Sequence, residues 1–327
     1  MPIFLYLCSM LRTFTILLML LLLPTDGLPQ RALKLSRWHI APGDYSGITP
    51  LGGGHYAVVS DKDKQAGFHV WAIQQDPTSG KVVEVTDEGF RGTEWGNPRD
   101  QEGIAFCPTA GTVFISGEAD QRILEHRTDG TLTGRELKTP DGFSVNDIQP
   151  NRGFEALCFD TMRSCFWTTT ESALKRDEKG RLRLLCFDAD GLFLREVPYQ
   201  LSERQSRHSG RDYYHGIAAL AALDDGTLLV LEREACIANQ YSGSRCWCRI
   251  YRYWPEEGRK ELVRELKSRF TPFNTRFANY EGLCLGIRLA DGRQTVLLIS
   301  DAQSGTGRAL WHLRDRIISI VLLPEKN

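Results

Sequence analysis

A five-membered repeat constrains what this chain can fold into. The segments Tyr45-Ser46-Gly47-Ile48, Gln101-Glu102-Gly103-Ile104, Phe154-Glu155-Ala156-Leu157, Tyr214-His215-Gly216-Ile217 and Tyr280-Glu281-Gly282-Leu283 share one pattern. The residue before the Gly or Ala falls at 46, 102, 155, 215 and 281, so successive repeats begin 56, 53, 60 and 66 residues apart. Periods of this length mark propellers and solenoids, in which one supersecondary unit recurs. A short turn and an apolar run closing on an acid follow each marker: Tyr56–Asp61, Thr112–Glu118, Cys165–Glu171, Thr227–Glu232 and Thr295–Asp301. A third run comes next, at Phe68–Ile73, Arg122–Arg127, Arg183–Phe187, Arg249–Tyr253 and Arg308–Leu313. These runs alternate or stay apolar and are rich in aromatic and branched residues, as strands are. Asp129-Gly130, Asp190-Gly191 and Glu257-Gly258 supply the turn into a fourth strand.

Four antiparallel strands repeated five times specify an all-β propeller, with five four-stranded blades. A sixth blade in divergent sequence is the alternative. Ala32–Ile40 offers one further strand, placed to pair with the last blade and close the ring. The best helical segment is Glu256–Ser268, which reads equally as turn and strand.

The 327 residues carry 40 Lys and Arg against 41 Asp and Glu, a formal net charge of −1. That balance excludes an electrostatic nucleic-acid binder. With 42% hydrophobic and 25% charged residues the chain is globular. Phe14–Leu23 is an apolar run led by Arg12 and broken at Pro24-Thr25-Asp26-Gly27. It is short against the roughly 20 apolar residues that span a bilayer, and fits a secretory signal. Residues 1–27 are therefore expected to be a signal peptide cleaved near Gly27, with translation starting at Met1 or Met10. Residues 28–327 are expected to form one exported domain, periplasmic or extracellular, monomeric and not inserted in the membrane. An uncleaved anchor, or a lipid on Cys8, is the alternative. Of the eight remaining cysteines, Cys107, Cys158 and Cys284 follow repeat markers and read as small apolar strand residues. Cys246-Trp247-Cys248 is C-x-C, a poor zinc or redox signature.

In a propeller the first strand of each blade lines the central channel. Ser46, Glu102, Glu155, His215 and Glu281 are thus expected to converge on one axis. Three neighbouring carboxylates cannot all stay ionised without a counter-charge. One solution is a hard cation such as Ca²⁺, which takes six to eight oxygen ligands, with Glu102, Glu155, Glu281 and Ser46 as its metal ligands. The other is arginine, and Arg99, Arg152, Arg211 and Arg233 all lie close to acid slots. His215 suits Ca²⁺ poorly and is a candidate acid or base. The second acids, Asp61, Glu118, Glu171, Glu232 and Asp301, are expected near a channel mouth with Lys62, Arg122, Lys175, Arg233 and Arg308. Such a mixture suits a substrate bearing phosphate or carboxylate; solvated loops have the same composition. The chain contains no G-x-S-x-G elbow and no Walker or dinucleotide glycine pattern.

Taken as an ordered set, several segments resemble a known family. They are Ser60-Asp61-Lys62-Asp63, Asp100–Ile104, Asn151–Leu157, Thr169–Leu174, Leu229–Arg233, Asn279–Leu283 and Ile299-Ser300-Asp301. They resemble the phytase-like domain of the "esterase-like activity of phytase" family, over Tyr45 to Asp301. The resemblance implies an exported bacterial propeller with phosphoesterase or esterase activity. The acidic channel also looks like that of calcium-activated nucleotidases, five-bladed with a central Ca²⁺. Two readings follow. One is a metal-dependent hydrolase of a small ester or phosphorylated substrate. In it His215, Glu171 and Glu232 are catalytic, Arg122, Arg233, Lys62, Asp61 and Asp301 bind substrate, and Glu102, Glu155, Glu281 and Ser46 hold the ion. The other is a non-catalytic propeller that binds a ligand or partner at its mouth around a structural cation.

Overall fold

The structure is a computed structural model that describes residues 31–206, 212–238, 242–271, 277–302 and 313–323. The expected signal peptide lies outside the described residues. No helix among the described residues is long and apolar enough to cross a membrane.

Twenty strands form five four-stranded antiparallel sheets. The first blade is β2 (Tyr45–Gly52), β3 (His55–Ser60), β4 (Ala66–Gln75) and β5 (Val82–Thr93). The second is β6 (Gln101–Cys107), β7 (Thr112–Gly117), β8 (Arg122–Arg127) and β9 (Leu132–Leu137). The third is β10 (Phe154–Asp160), β11 (Cys165–Thr170), β12 (Arg181–Asp188) and β13 (Phe193–Gln200). The fourth is β14 (Asp212–Ala222), β15 (Leu228–Ile237), β16 (Arg245–Trp254) and β17 (Arg259–Arg269). The fifth joins both ends of the chain: β18 (Asn279–Arg288), β19 (Gln294–Asp301), β20 (Arg316–Val321) and, outermost, β1 (Leu33–Lys34). Leu33 pairs with Ile317 and Lys34 with Arg316.

The five-blade expectation and closure by the segment at Ala32 hold. One detail is corrected and one alternative decided. The third strand of the last repeat is Arg316–Val321, not Arg308–Leu313, most of which lies outside the described residues. Glu256–Ser268 takes its turn-and-strand reading and not the helical one, because Glu257-Gly258 turns the chain back and Arg259 onward pairs along β16 as β17.

The core is divided among the seams. Five hydrophobic clusters each straddle one pair of adjacent blades. Between the second and third blades, for example, Phe114 and Ala105 pack against Phe154, Leu157 and Phe166. Cys107, Cys158 and Cys284 are buried in such seams, as small apolar residues.

The same seams explain the small residue in the repeat. A Cβ on Gly47 would meet the Glu102 carbonyl oxygen at 2.2 Å, and one on Gly103 the Glu155 carbonyl oxygen at 2.7 Å. On Gly216 it would meet the Glu171 carbonyl oxygen at 2.1 Å, and on Gly282 that of Ser46 at 2.9 Å. The inner strand of each of these blades passes too close to the backbone of its neighbour for a larger side chain.

Candidate functional site: an acidic central channel

A bulge on the inner strand aims the marker residue. Ser46, Glu155 and Glu281 each fall at a register shift, skipped between paired neighbours. Glu102 is skipped together with Gly103. Bulges leave one residue unpaired and re-aim its side chain. The fourth blade differs. His215 is in the ladder opposite Glu234, and the skipped residue is Ala218. This blade also runs on: β15 continues past Glu232 to Ile237, so Glu232 lies within the strand and not at its end.

Register then decides where the fourth blade's side chains go. Arg233 stands opposite Gly216, which has no side chain to block it. Its Nη1 donates to Glu281 Oε1, and its Nη2 donates to Glu171 Oε1 at 2.6 Å and Glu155 Oε1 at 3.4 Å. Arg152 Nη1 donates to the other Glu171 oxygen, and its guanidinium lies 4.4 Å over the Tyr214 ring. Asn279 Nδ2 donates to Glu281 Oε1 at 2.6 Å. The counter-charge expected for Glu155 and Glu281 is therefore arginine. Burial raises Glu171, but Arg233 and Arg152 outweigh it and hold this carboxyl below its ordinary value. Glu155, with the longest bond, is pushed well up by burial and by Glu171. Glu281 is pushed up by burial to about 7.

Glu102 stands apart from this arginine. It groups with Asp61 and Asp100, and one carboxylate oxygen from each lies within 4.8 Å of the others. Among the described residues the only ion pair of this trio is Asp61 Oδ2 with Lys62. Asp61 Oδ1 is enclosed and makes no hydrogen bond. Burial drives all three carboxyls up, Asp61 to about 6, with Glu155 and Glu281 adding to the rise at Glu102. Glu118 lies nearby, 7% exposed, accepting the Gly153 N–H at 2.6 Å. Burial pushes it to about 7. Asp100 is the member that sequence reasoning missed. Its signal was its place two residues before the marker, where it takes a φ of 56°, as Asp44 takes 45° before Ser46. Asp and Asn tolerate that conformation best among residues other than Gly.

The remaining expected site residues are not with the trio. Ser46 Oγ donates to the Gln101 carbonyl at 2.7 Å, a bond across the seam between the first and second blades, and Ser46 is not grouped with the trio. His215 Nε2 lies 3.8 Å from Glu232 Oε2, and the ring packs by Tyr213, so His215 faces the seam with the third blade. Glu232 is 1% exposed. It accepts from Tyr199 Oη at 2.8 Å, Lys260 Nζ at 2.5 Å and the Ser202 backbone at 3.1 Å. Burial raises it, but His215, Lys260 and Ser202 hold it near about 2. A carboxylate saturated in this way clamps two blades together and is corrected from its catalytic assignment. Arg122 Nε donates to Glu136 Oε2 at 2.7 Å on the outer strand, away from the channel. Arg233 is thus engaged by its carboxylates, and Arg122 lies outside the channel. Asp301 joins Asp44 and Asp315 in a second buried acidic group at the ring seam, where Asp315 accepts the Gly43 and Ala302 N–H groups.

Fold and site together define a five-bladed propeller with a carboxylate-rich channel. The chain belongs to the phytase-like family, described as "esterase-like activity of phytase", whose model matches residues 40–302. No curated protein matches it. Among solved structures it is similar to a PQQ-bound aldose sugar dehydrogenase from Streptomyces coelicolor, at 13% identity and a TM-score of 0.47, covering 90% of this chain and 99% of that one. An endo-arabinase from Bacteroides thetaiotaomicron is similar at 12% identity and 0.47, covering 93% and 99%. A streptogramin B lyase is similar at 13% identity and 0.40, covering 89% and 97%. At these identities and scores none bears on the chemistry of this chain.

Proposed function

We propose that the protein is an exported hydrolase of a small ester, working at the channel with one divalent cation, Ca²⁺ in the first instance, held by Asp61, Asp100 and Glu102. The observation that carries this is the charge of that trio. Three clustered carboxylates have one lysine between them, and one Asp61 oxygen is enclosed with no donor. Carboxylate oxygens are the donors a hard cation takes. The axial glutamates do not fit an ion in the same way, since Arg233 already occupies them.

When bound, such an ion polarises an ester oxygen and offsets the negative charge that grows on it. The chain's own residues do the rest. Lys62, with its side chain 56% exposed, stands beside the trio and presents a mobile positive charge to an incoming acyl or phosphoryl oxygen. Glu118, buried next to the trio with its backbone N–H on the Asp100 carbonyl at 2.8 Å, is the carboxyl placed to serve as general acid or base. Glu102 is aimed by its inner-strand bulge, and Asp61, Lys62 and Glu118 follow directly on the second strands β3 and β7.

The test is a thermal melt of the chelated protein titrated with Ca²⁺, Mg²⁺ and Zn²⁺, followed by an ester screen with the stabilising ion. A ligand that binds only the native state raises the melting temperature with its concentration. The expected result is a Ca²⁺-dependent rise and ester turnover, both lost in Glu102→Gln. Turnover that survives chelation and Glu102→Gln overturns the metal-assisted reading. A Ca²⁺-dependent rise with no turnover on any ester leaves the protein as a ligand-binding propeller with a structural ion.

A further inference from the structure

We propose that Arg233 is the ring's own axial cation. Its guanidinium holds the place a central metal would take, and the axis binds no metal while the arginine is there. Two carboxylates of the third blade, Glu155 and Glu171, and one of the fifth, Glu281, meet on its terminal nitrogens. These are marker and strand-end acids of the repeat, the oxygens that an ion on the axis would use. The guanidinium is fully charged, planar and forked, so it can satisfy carboxylates from different directions as a metal ion does. Its side chain is 9% exposed, and the three carboxylates on it are 3 to 10% exposed, so it is enclosed by its ligands. A divalent ion among the same oxygens would lie against a like charge in a poorly solvated site, where repulsion is strongly felt.

The fourth blade is altered to make this arrangement. Its marker is a histidine held in the ladder, its bulge is displaced to Ala218, and its inner strand presents Gly216 to the arginine behind it. One blade thus gives up its inner carboxylate and contributes a cation instead. The inference is independent of the ion proposed at Asp61, Asp100 and Glu102, and it departs from the central Ca²⁺ that the nucleotidase likeness implies.

The experiment titrates Ca²⁺ alone into chelated protein and reads the melting temperature. The background is Asp100→Asn, which removes one carboxylate of the trio and leaves the axis untouched. Asp100→Asn alone is expected to melt at the same temperature with or without about 1 mM Ca²⁺, the range in which extracellular sites fill. Adding Arg233→Ser should lower the melt in chelator and make it rise with Ca²⁺, because the bared carboxylates then form an oxygen site. A third change, Glu281→Gln, should abolish that rise. The proposal is overturned if Asp100→Asn/Arg233→Ser melts no lower than its parent, or melts lower yet ignores Ca²⁺. Should the serine variant fail to fold in both chelator and Ca²⁺, Arg233→Lys in the same background decides. It keeps the charge, so it should fold and ignore Ca²⁺; a Ca²⁺-dependent rise in that variant overturns the proposal.

Discussion

His126 allows a sharp test of how this core handles charge. It lies in β8, between Val113 on one side and Leu132 on the other, and is 0% exposed. Its Nδ1 lies 3.1 Å from the Gly130 carbonyl, which fixes that nitrogen as the donor, and its Nε2 is enclosed with no partner. Burial, reinforced by the positive charge of Arg99, lowers it from 6.5 to about 4. The folded protein therefore resists a proton that the unfolded chain accepts. Stability from a depressed histidine is fully present above pH 6.5 and declines as pH falls toward 4. One pKa unit is worth about 1.4 kcal/mol, so the drop from 6.5 to about 4 corresponds to about 3 kcal/mol. His126→Asn keeps an amide donor for Gly130 and removes the titration. Urea unfolding of both proteins at intervals from pH 7 to pH 4 gives the difference in stability. Using the difference cancels the opposite contributions of Asp61, Glu118, Glu281 and Asp315, which the two proteins share. The wild type should lose about 3 kcal/mol more than the variant across that window. A difference that stays constant with pH refutes the buried neutral histidine.

Glu118 titrates with the opposite sign. Its folded value of about 7 lies above the ordinary 4.5, so its contribution is present below pH 4.5 and lost as pH rises through 7. Glu118→Gln should therefore flatten the fall in melting temperature between pH 5 and pH 8, and an unchanged slope rejects the assignment. Lys260→Met takes the nearest cation from the Glu232 carboxylate and leaves Arg249 at 3.9 Å with the Tyr199 and Ser202 donors, so the cost falls to about 1 to 3 kcal/mol, that of one lost hydrogen bond to a charged group. At about 2 °C per kcal/mol for a chain of this size, calorimetry should show a loss of roughly 2 to 6 °C, whereas a loss under about 1 °C would mean the clamp is solvated. Gly216→Ala forces a methyl against the Glu171 carbonyl and should destabilise by about 1 to 3 kcal/mol, as overpacking does. An alanine variant that melts with the wild type would show that the seam is looser than the structure makes it.

The propeller was legible because its signals are local and repeated. The small residue recurs where an inner strand crowds the neighbouring blade, and the apolar second strand and the Gly turns between outer strands recur with it. The site was legible only in part. Glu102 could be placed from the repeat, because a bulge aims it as it aims Glu155 and Glu281. Arg233 could be named as a candidate counter-charge, but not chosen over a metal. That choice depends on the bulge in the fourth blade moving from the marker to Ala218. Moving a bulge by three residues leaves the marker pattern unchanged and alters which residues face the axis, since neighbouring strand residues point to opposite faces. The same shift, with the longer β15, withdrew His215 and Glu232 into a seam. The last blade escaped because the expected run at Arg308 looked as strand-like as the one at Arg316.

The pairing of β1 with β20 imposes an order of events. Among the described residues the first strand is held by the last, through two residue pairs. Four blades can assemble from contacts between chain neighbours as the polypeptide emerges, in keeping with the head start that short-range contacts enjoy. The fifth is complete only once Arg316–Val321 is in place. Until then Leu35, Ile40 and Leu297 of the cluster shared by the first and fifth blades lack the Ile317 that packs with them. A chain stalled short of Arg316 would hold four finished blades and an unsealed apolar flank.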